Sequence, residues 1–283
     1  MAIPEHLLDG VKRLDPLPIT VQRLLAVINQ ETSNFNQIVD IVEYDPAVAS
    51  NILRVANSPA YAGRFQIERL RDAVVRLGVN NLLNIVLSGH LKKLKVSAPL
   101  YGLTENDLWL HATAASLAVK AITQETRQLS IPPYAAIAAL VHDIGKLIMV
   151  RYLQADVSAI WALCQEKGIP FVEAERELFA CDHTEVGAAM ARKWSFPEAI
   201  FRVIELHHQV PCKEPSALLD AVMVANLVAK SIGVGLGAEG LNLRVDEACR
   251  QRLGLTVNSL ERVCAHTAVW LEEVKHAYEG KGN

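Results

Sequence analysis

The chain has no Cys-x-x-Cys pair, and its cysteines, Cys164, Cys181, Cys212, Cys249 and Cys264, are odd in number. The missing pair argues against a zinc ribbon, and the odd count against a disulfide framework. Reduced thiols of a cytoplasmic protein fit the pattern. No apolar run approaches the ~18 residues that span a bilayer. Met1 to Gly10 carries acids and no apolar h-region, so it does not read as a signal peptide. The expectation is a cytoplasmic protein with no membrane partner. Glycine and proline, 15 and 12 of 283 residues, are too sparse for a disordered or fibrous chain. Positive charge is not in excess either, the formal net charge being −3. A nucleic-acid binder needs a basic face. Arg69, Arg71 and Arg76, and later Lys92, Lys93 and Lys95, form modest clusters that read as solvated helix faces. The balance argues against nucleic acid as a partner.

What is present is helical patterning around a large apolar fraction, 51% of the residues. Asp45-Pro46 starts a helix, because the carboxylate can accept from free N–H groups and proline fits the first turn. Val48, Ile52 and Val55 then share a face, and Asn57-Ser58-Pro59 stops the helix. Leu70, Val74 and Leu77 form a second stripe ending at Gly78, a plausible left-handed cap. A third pattern runs from about Asn80 to Leu94. Thr104 with Asp107, and Ser195 with Glu198, resemble capping boxes, the first opening a helix through about Ile122 and the second one to about His207. Further helices fit Pro132 onward, Val157 to Glu166, Val172 to Phe179, Glu185 to Trp194, Ser216 to Ser231 and Ser259 to Tyr278. Alternating strand patterns are nearly absent, so the fold class is all-α. A soft division falls near Pro99, with two helical parts packed on each other. Gly233 to Gly240 is a glycine-rich loop. It lacks a following Gly-Lys-Ser/Thr and follows a helix rather than a strand, which argues against nucleotide binding there.

The chemistry lies in histidines and acids. His142-Asp143-Ile144-Gly145-Lys146 puts an imidazole and a carboxylate side by side, where both can reach one cation. Gly145 relieves crowding beside them, and Lys146 can neutralise a phosphate. His111 lies on an earlier helix, with Asp107 four residues before it on the same face. His183 opens a later helix, and His207 and His208 end another. Imidazole and carboxylate together suit one or two divalent transition metals, Fe, Mn, Zn or Ni. Two such ions can activate a bridging water for attack on phosphorus. Each residue also has a structural reading. Asp107 can simply serve the Thr104 box, Asp182 can cap the helix that His183 opens, and histidines at a helix C-terminus are favoured by its dipole.

These residues, in this order, resemble the HD superfamily of metal-dependent phosphohydrolases: a first His (His111), a His-Asp pair (His142-Asp143) and a final Asp. Asp107, Lys146, His183, His207 and His208 resemble the additions of its cyclic di-GMP phosphodiesterase branch. Two departures stand out. The final Asp is replaced by Asn226 in Val222-Met223-Val224-Ala225-Asn226, with Asp220 a poorer match. No Gly-Tyr-Pro follows the double histidine, where the chain reads Gln209-Val210-Pro211 and then Cys212-Lys213-Glu214. In the N-terminal part, Leu17-Pro18, Asp45-Pro46, Ile52-Leu53-Arg54-Val55-Ala56-Asn57-Ser58 and Ala73-Val74-Val75-Arg76-Leu77-Gly78 closely resemble the HD-related output domain (HDOD) family. The resemblance covers about 14–231. It implies an N-terminal helical subdomain (about 14–98), an HD-like subdomain (about 99–231), and a glycine loop and last helix (232–283) packed on the same unit. It further implies a bacterial signalling output, regulatory and non-catalytic, whose partner is a signalling protein and whose old catalytic cleft can take a nucleotide or phosphate. The alternative is a metal-dependent phosphohydrolase acting on a nucleotide or other phosphate ester. His111, His142, Asp143, His183, His207 and His208 would then be metal ligands, with Asp107 and Asn226 weaker candidates and Asp143 and Lys146 catalytic.

Overall fold

The computed structural model describes residues 3–28, 35–58, 61, 65–93, 99–104, 106–126, 131–153, 157–237 and 247–279. Pro59, Leu94, Lys95 and the end of the glycine-rich stretch (238–240) lie outside the described residues. The described elements are α1 (Glu5–Arg13), α2 (Ile19–Ile28), α3 (Phe35–Glu43), α4 (Pro46–Ala56), α5 (Leu70–Lys93), α6 (Asp107–Glu125), α7 (Ala135–Val141) and α8 (Lys146–Tyr152). They continue with α9 (Val157–Lys167), α10 (Phe171–Phe179), α11 (His183–Lys193), α12 (Glu198–Leu206), α13 (Ala217–Ser231), α14 (Glu247–Arg252) and α15 (Val257–Glu279). A short 3-10 turn spans Pro99–Tyr101. Among the described residues there is no strand, and no helix is long and apolar enough to cross a membrane. The fold is all-α.

Helix α6 is the central post. One side of it packs on α7, another on α13 and a third on α15, which explains why nearly all of its small side chains, such as Ala114, Ala115, Ala118 and Ala121, are buried. Small residues let backbones approach closely, so one helix can support three neighbours. The N-terminal part gathers α2, α3 and α4 against α5, and α5 in turn packs on α6 and α7. Helix α1 crosses to the other half and rests on α8 and α11. Gly10 makes that crossing possible, since a Cβ there would sit 2.6 Å from the Tyr152 ring. The Lys193 ammonium then closes the end of α1, donating to the carbonyls of Val11, Lys12 and Leu14. A cation among the last carbonyls of a helix both fills unmet acceptors and opposes the dipole.

Local signals hold where a side chain can reach the backbone ahead of it. Asp45 accepts from Val48 N at 3.1 Å, and Ser216 accepts from Leu219 N at 3.1 Å. Ser195 behaves otherwise. Its φ is 57°, and Phe196 N donates to Ala191 O at 3.0 Å, so Ser195 terminates α11 in a left-handed turn. Pro197, without a side-chain cap, precedes α12, and the Ser195–Glu198 box does not form. Gly78 ends the first stripe as expected: its non-helical φ of 71° and ψ of 162° part α5 into two helical stretches, the second running to Lys93.

The arginine cluster has structural work. Arg76 donates to Ala56 O and, at 2.8 Å, to Phe65 O, while the Arg71 guanidinium lies 4.9 Å from the Phe35 ring centre. Asn57 donates to Leu53 O and Ile67 O and accepts from Ile67 N at 2.7 Å. One amide thus ties the end of α4 to the chain ten residues on. Asn57→Ala removes these bonds and leaves backbone groups unmet, so a loss of about 2 kcal/mol is expected in urea unfolding.

Candidate metal centre

The cluster is assembled from four places in the chain. His111 comes from α6, and His142 and Asp143 follow α7. His183 is the first residue of α11, and His207 and His208 follow α12. All but His208 are buried. The local geometry that delivers His183 is the capping box of Asp182, which accepts from Thr184 N and Glu185 N while Glu185 accepts from Asp182 N. Asp182 is therefore a cap, further held by Arg176 at 2.5 Å. Gly145 lets the His-Asp turn reach α11. A Cβ there would stand 1.9 Å from His183 O and 2.6 Å from Gly187 N.

Asp143 is the hub. Its Oδ1 is 3.3 Å from both His183 Nε2 and His207 Nε2. Its Oδ2 accepts from Lys146 Nζ at 2.7 Å and lies 3.4 Å from His142 Nε2 and 3.7 Å from His111 Nε2. Two ligand groups result, one of Asp143, His183, His207 and His208 and the other of His111, His142 and Asp143. The rings of His142 and His207 are 4.9 Å apart, and those of His207 and His208 4.3 Å.

Each imidazole is oriented by its far nitrogen. His142 Nδ1 meets Ala139 O at 2.7 Å, His207 Nδ1 meets Ile204 O at 2.8 Å, and His183 Nδ1 meets Glu175 Oε2 at 2.7 Å. A carbonyl accepts only, so Nδ1 of His142 and of His207 carries the proton. In the neutral ring Nε2 then offers a lone pair. Nε2 of His142, His183 and His207, together with Asp143 Oδ1, are buried without a hydrogen-bond partner. Four such atoms converging are costly unless positive charge meets them, either the proton of a charged His183 facing Asp143 or a metal cation. The outer bonds to carbonyls and a carboxylate are those that steady metal-ligating histidines. The cluster can hold a metal ion, and its N/O donor set suits a divalent transition metal.

Asn226 and the glycine loop belong to the same site. His111 Nδ1 meets Val234 O at 3.1 Å, and its Nε2 faces Asn226 Oδ1 at 3.0 Å. Burial keeps the His111 pKa low, so the ring is neutral and Nε2 faces the amide with a lone pair. That contact requires either the Asn226 NH2 turned inward or a cation shared between the two. Gly235, at a φ of 61°, passes so close that a Cβ would stand 2.6 Å from His111 Cβ. The glycines shape a backbone clamp on a histidine.

Asp107 stands apart. It opens α6, but its Oδ2 turns back to accept from Thr104 N and Thr104 Oγ1 at 2.6 and 2.7 Å. A shared helix face with His111 did not suffice, because the first turn offered nearer donors. Asp220 is also engaged elsewhere, in a two-bond pair with Arg252 at 2.8 and 2.6 Å. Two participants escaped sequence reasoning. Glu175 accepts from His183 N as well as facing its Nδ1, and Tyr101 donates to Glu175 Oε1 at 2.6 Å. The available signal was Glu175 itself, a charged residue four places after Phe171 on the apolar stripe of α10.

Electrostatics divide the histidines. Burial pushes His142 down to about 3, so it is neutral near pH 7. Burial alone would also discharge His183, but Glu175 and Asp143 outweigh it and raise its pKa to about 10. Burial likewise opposes the Asp143 charge, yet Lys146 and His142 hold its carboxyl well below the usual range.

The HDOD domain family model matches residues 14–210. The chain belongs to the HDOD family. Its fold is shared by an HDOD domain protein of unknown function from Geobacter sulfurreducens, at a TM-score of 0.66 and 23% identity over 93% of this chain and 97% of that one. It is shared also by a candidate metal-dependent phosphohydrolase from Shewanella amazonensis SB2B, at 0.63 and 22% over 96% of each chain. A candidate signal transduction protein from Marinobacter aquaeolei VT8 matches at 0.69 and 20%, over 99% of this chain and 62% of that one. A curated relative from Treponema pallidum (strain Nichols), itself uncharacterised, is 22% identical over 77% of this chain. The HDOD chain spans less than half of that relative's length, 43%.

A metal binds neutral imidazole, so the proton on His183 must leave. Metal uptake at pH 7 is expected to release about one proton per ion and to tighten as pH rises toward 9. Calorimetric titration in two buffers of different ionisation enthalpy reads this directly. Uptake without proton release would contradict the charge state given to His183. Gly145→Ala forces backbone apart and is expected to cost more than about 3 kcal/mol of stability in denaturant unfolding.

Proposed function

We propose that this HDOD protein is a bacterial signal-transduction output, regulatory rather than catalytic, whose His/Asp cluster holds a metal ion as a structural or sensing element. The observation that carries the reading is the position of Lys146. In the phosphohydrolase reading that ammonium would steady the substrate's phosphate. Here it is 2% exposed and committed to Asp143 Oδ2 at 2.7 Å, with its charge also over the Tyr101 ring at 5.3 Å. A phosphate ester would have to displace a buried ion pair before it reached the cluster, which is costly. Asn226 in place of a carboxylate removes one negative charge that a second divalent ion would need.

When bound, an ion supplies positive charge that draws the lone pairs of several helices to one point. His111, His142, Asp143, His183 and His207 are then its holders, with Asn226 and His208 at the edges. Glu175 and the carbonyls of Ala139 and Ile204 keep the rings aimed. The output surface would be read by a signalling protein in the cytoplasm. A second reading, metal-dependent hydrolysis of a phosphate ester, has one observation in its favour. Asp143 faces both ligand groups, as a carboxylate shared between two ions would.

Elemental analysis of protein purified without added metal or chelator, with turnover of bis(p-nitrophenyl) phosphate, separates the two. Bound metal without turnover is expected, together with loss of the metal in His142→Ala and Asp143→Ala. Turnover that disappears in both variants would establish the enzyme instead. Because the ligands lie far apart in sequence, chelation is expected to lower the melting temperature of metal-loaded protein by several degrees. An unchanged melt after proven metal removal would refute a structural ion.

A further inference from the structure

A cavity of about 390 Å³ lies away from the metal centre, between the start of α4, the end of α5 and Tyr278 of α15. Its size falls in the range of small-molecule sites. Arg54, Lys92 and Lys93 line it, together with His90, and its one carboxylate is Asp45. That carboxylate is already used, Oδ1 capping Val48 N at 3.1 Å and Oδ2 accepting from Thr20 Oγ1 at 3.2 Å. Among the described residues no carboxylate pairs with Arg54 or Lys93. The walls therefore carry surplus positive charge in a chain whose total is negative.

Two of the cations, Arg54 and Lys92, are held in place. Asn51 Oδ1 accepts from Arg54 Nη2 at 2.7 Å, and the guanidinium lies 5.6 Å from the Tyr278 ring centre. The Lys92 ammonium sits 4.7 Å from the Trp109 ring centre and 5.2 Å from that of Tyr278. Tyr278 is itself fixed by donating to Ile85 O at 3.0 Å. Such anchoring lowers the ordering cost of binding an anion. Gly89 opens the floor beside Asn51 and Tyr278. Pro18, Val48 and Val86 supply an apolar wall beside the charges.

We propose that this cavity binds a small organic phosphate of nucleotide size, its phosphate on Arg54, Lys92 and Lys93 and its body against the apolar wall. The site joins the N-terminal helices to the last helix, so an occupant bridges α4, α5 and α15. It is independent of the metal centre, and its test does not depend on metal content. Calorimetric titration of the full chain with guanosine monophosphate and, separately, with inorganic phosphate reads the affinity. Arg54→Ala and Lys93→Ala remove exposed side chains, and unchanged melting without ligand verifies that each folds. The expected result is nucleotide binding at least about tenfold tighter than inorganic phosphate, weakened about tenfold in each variant. The proposal is overturned by no saturable nucleotide binding, by equal affinity for inorganic phosphate, or by variants that bind as the parent does. Cosedimentation with phosphatidylglycerol vesicles in place of nucleotide binding would assign the cations to a lipid surface and overturn it as well.

Discussion

The structure is organised around one carboxylate. Asp143 carries a negative charge in the interior, where a lone ion would be prohibitively costly, and it is tolerated because the Lys146 ammonium and the charged His183 ring lie beside it. The helices next to His142, His183 and His207 end or begin at the same point, while α6 brings His111 from within its length. That convergence explains features that look unrelated in isolation: the absent side chain at Gly145, the capping box that starts α11, and the termination of α7 and α12 at their histidines. The apolar packing of α6 against α7, α13 and α15 supplies the scaffold, but the charge at its centre dictates where the scaffold stops.

Much of this was legible in the chain. Helices announced by Asp45-Pro46, Asp182 and Ser216 start where their caps place them, because an oxygen two or three residues from a free N–H acts locally. The histidines and Asp143 were legible as a set because their types and order resemble a known family. The short helix α8 was not, since seven residues after a glycine show too little periodicity. Ser195 misled because its side chain could cap forward while its backbone was already committed to ending α11. Asp107 took the structural of its two readings: spacing fixes a face, but a nearby hydroxyl and amide decide where the carboxylate turns.

Glu175 and Tyr101 illustrate what a pattern of ligands leaves out. Neither touches the convergence point, yet the Tyr101 hydroxyl, the Glu175 carboxylate and the His183 ring form a buried chain of contacts leading from the segment after α5 into the cluster. The proton on His183 is held by that chain, so its charge state belongs to three side chains from separate elements rather than to one.

The clamp on His111 has a further implication for how relatives should be compared. The group that fixes this ring is the carbonyl of Val234, which any amino acid can provide, while the spacing of Gly233, Gly235 and Gly237 sets the path of the backbone. A protein that kept every histidine but filled in Gly235 would score as intact by ligand inventory and yet have lost the seat of its first imidazole. Inheritance of this centre is therefore better traced through the glycines of a loop than through the side chain that the loop holds.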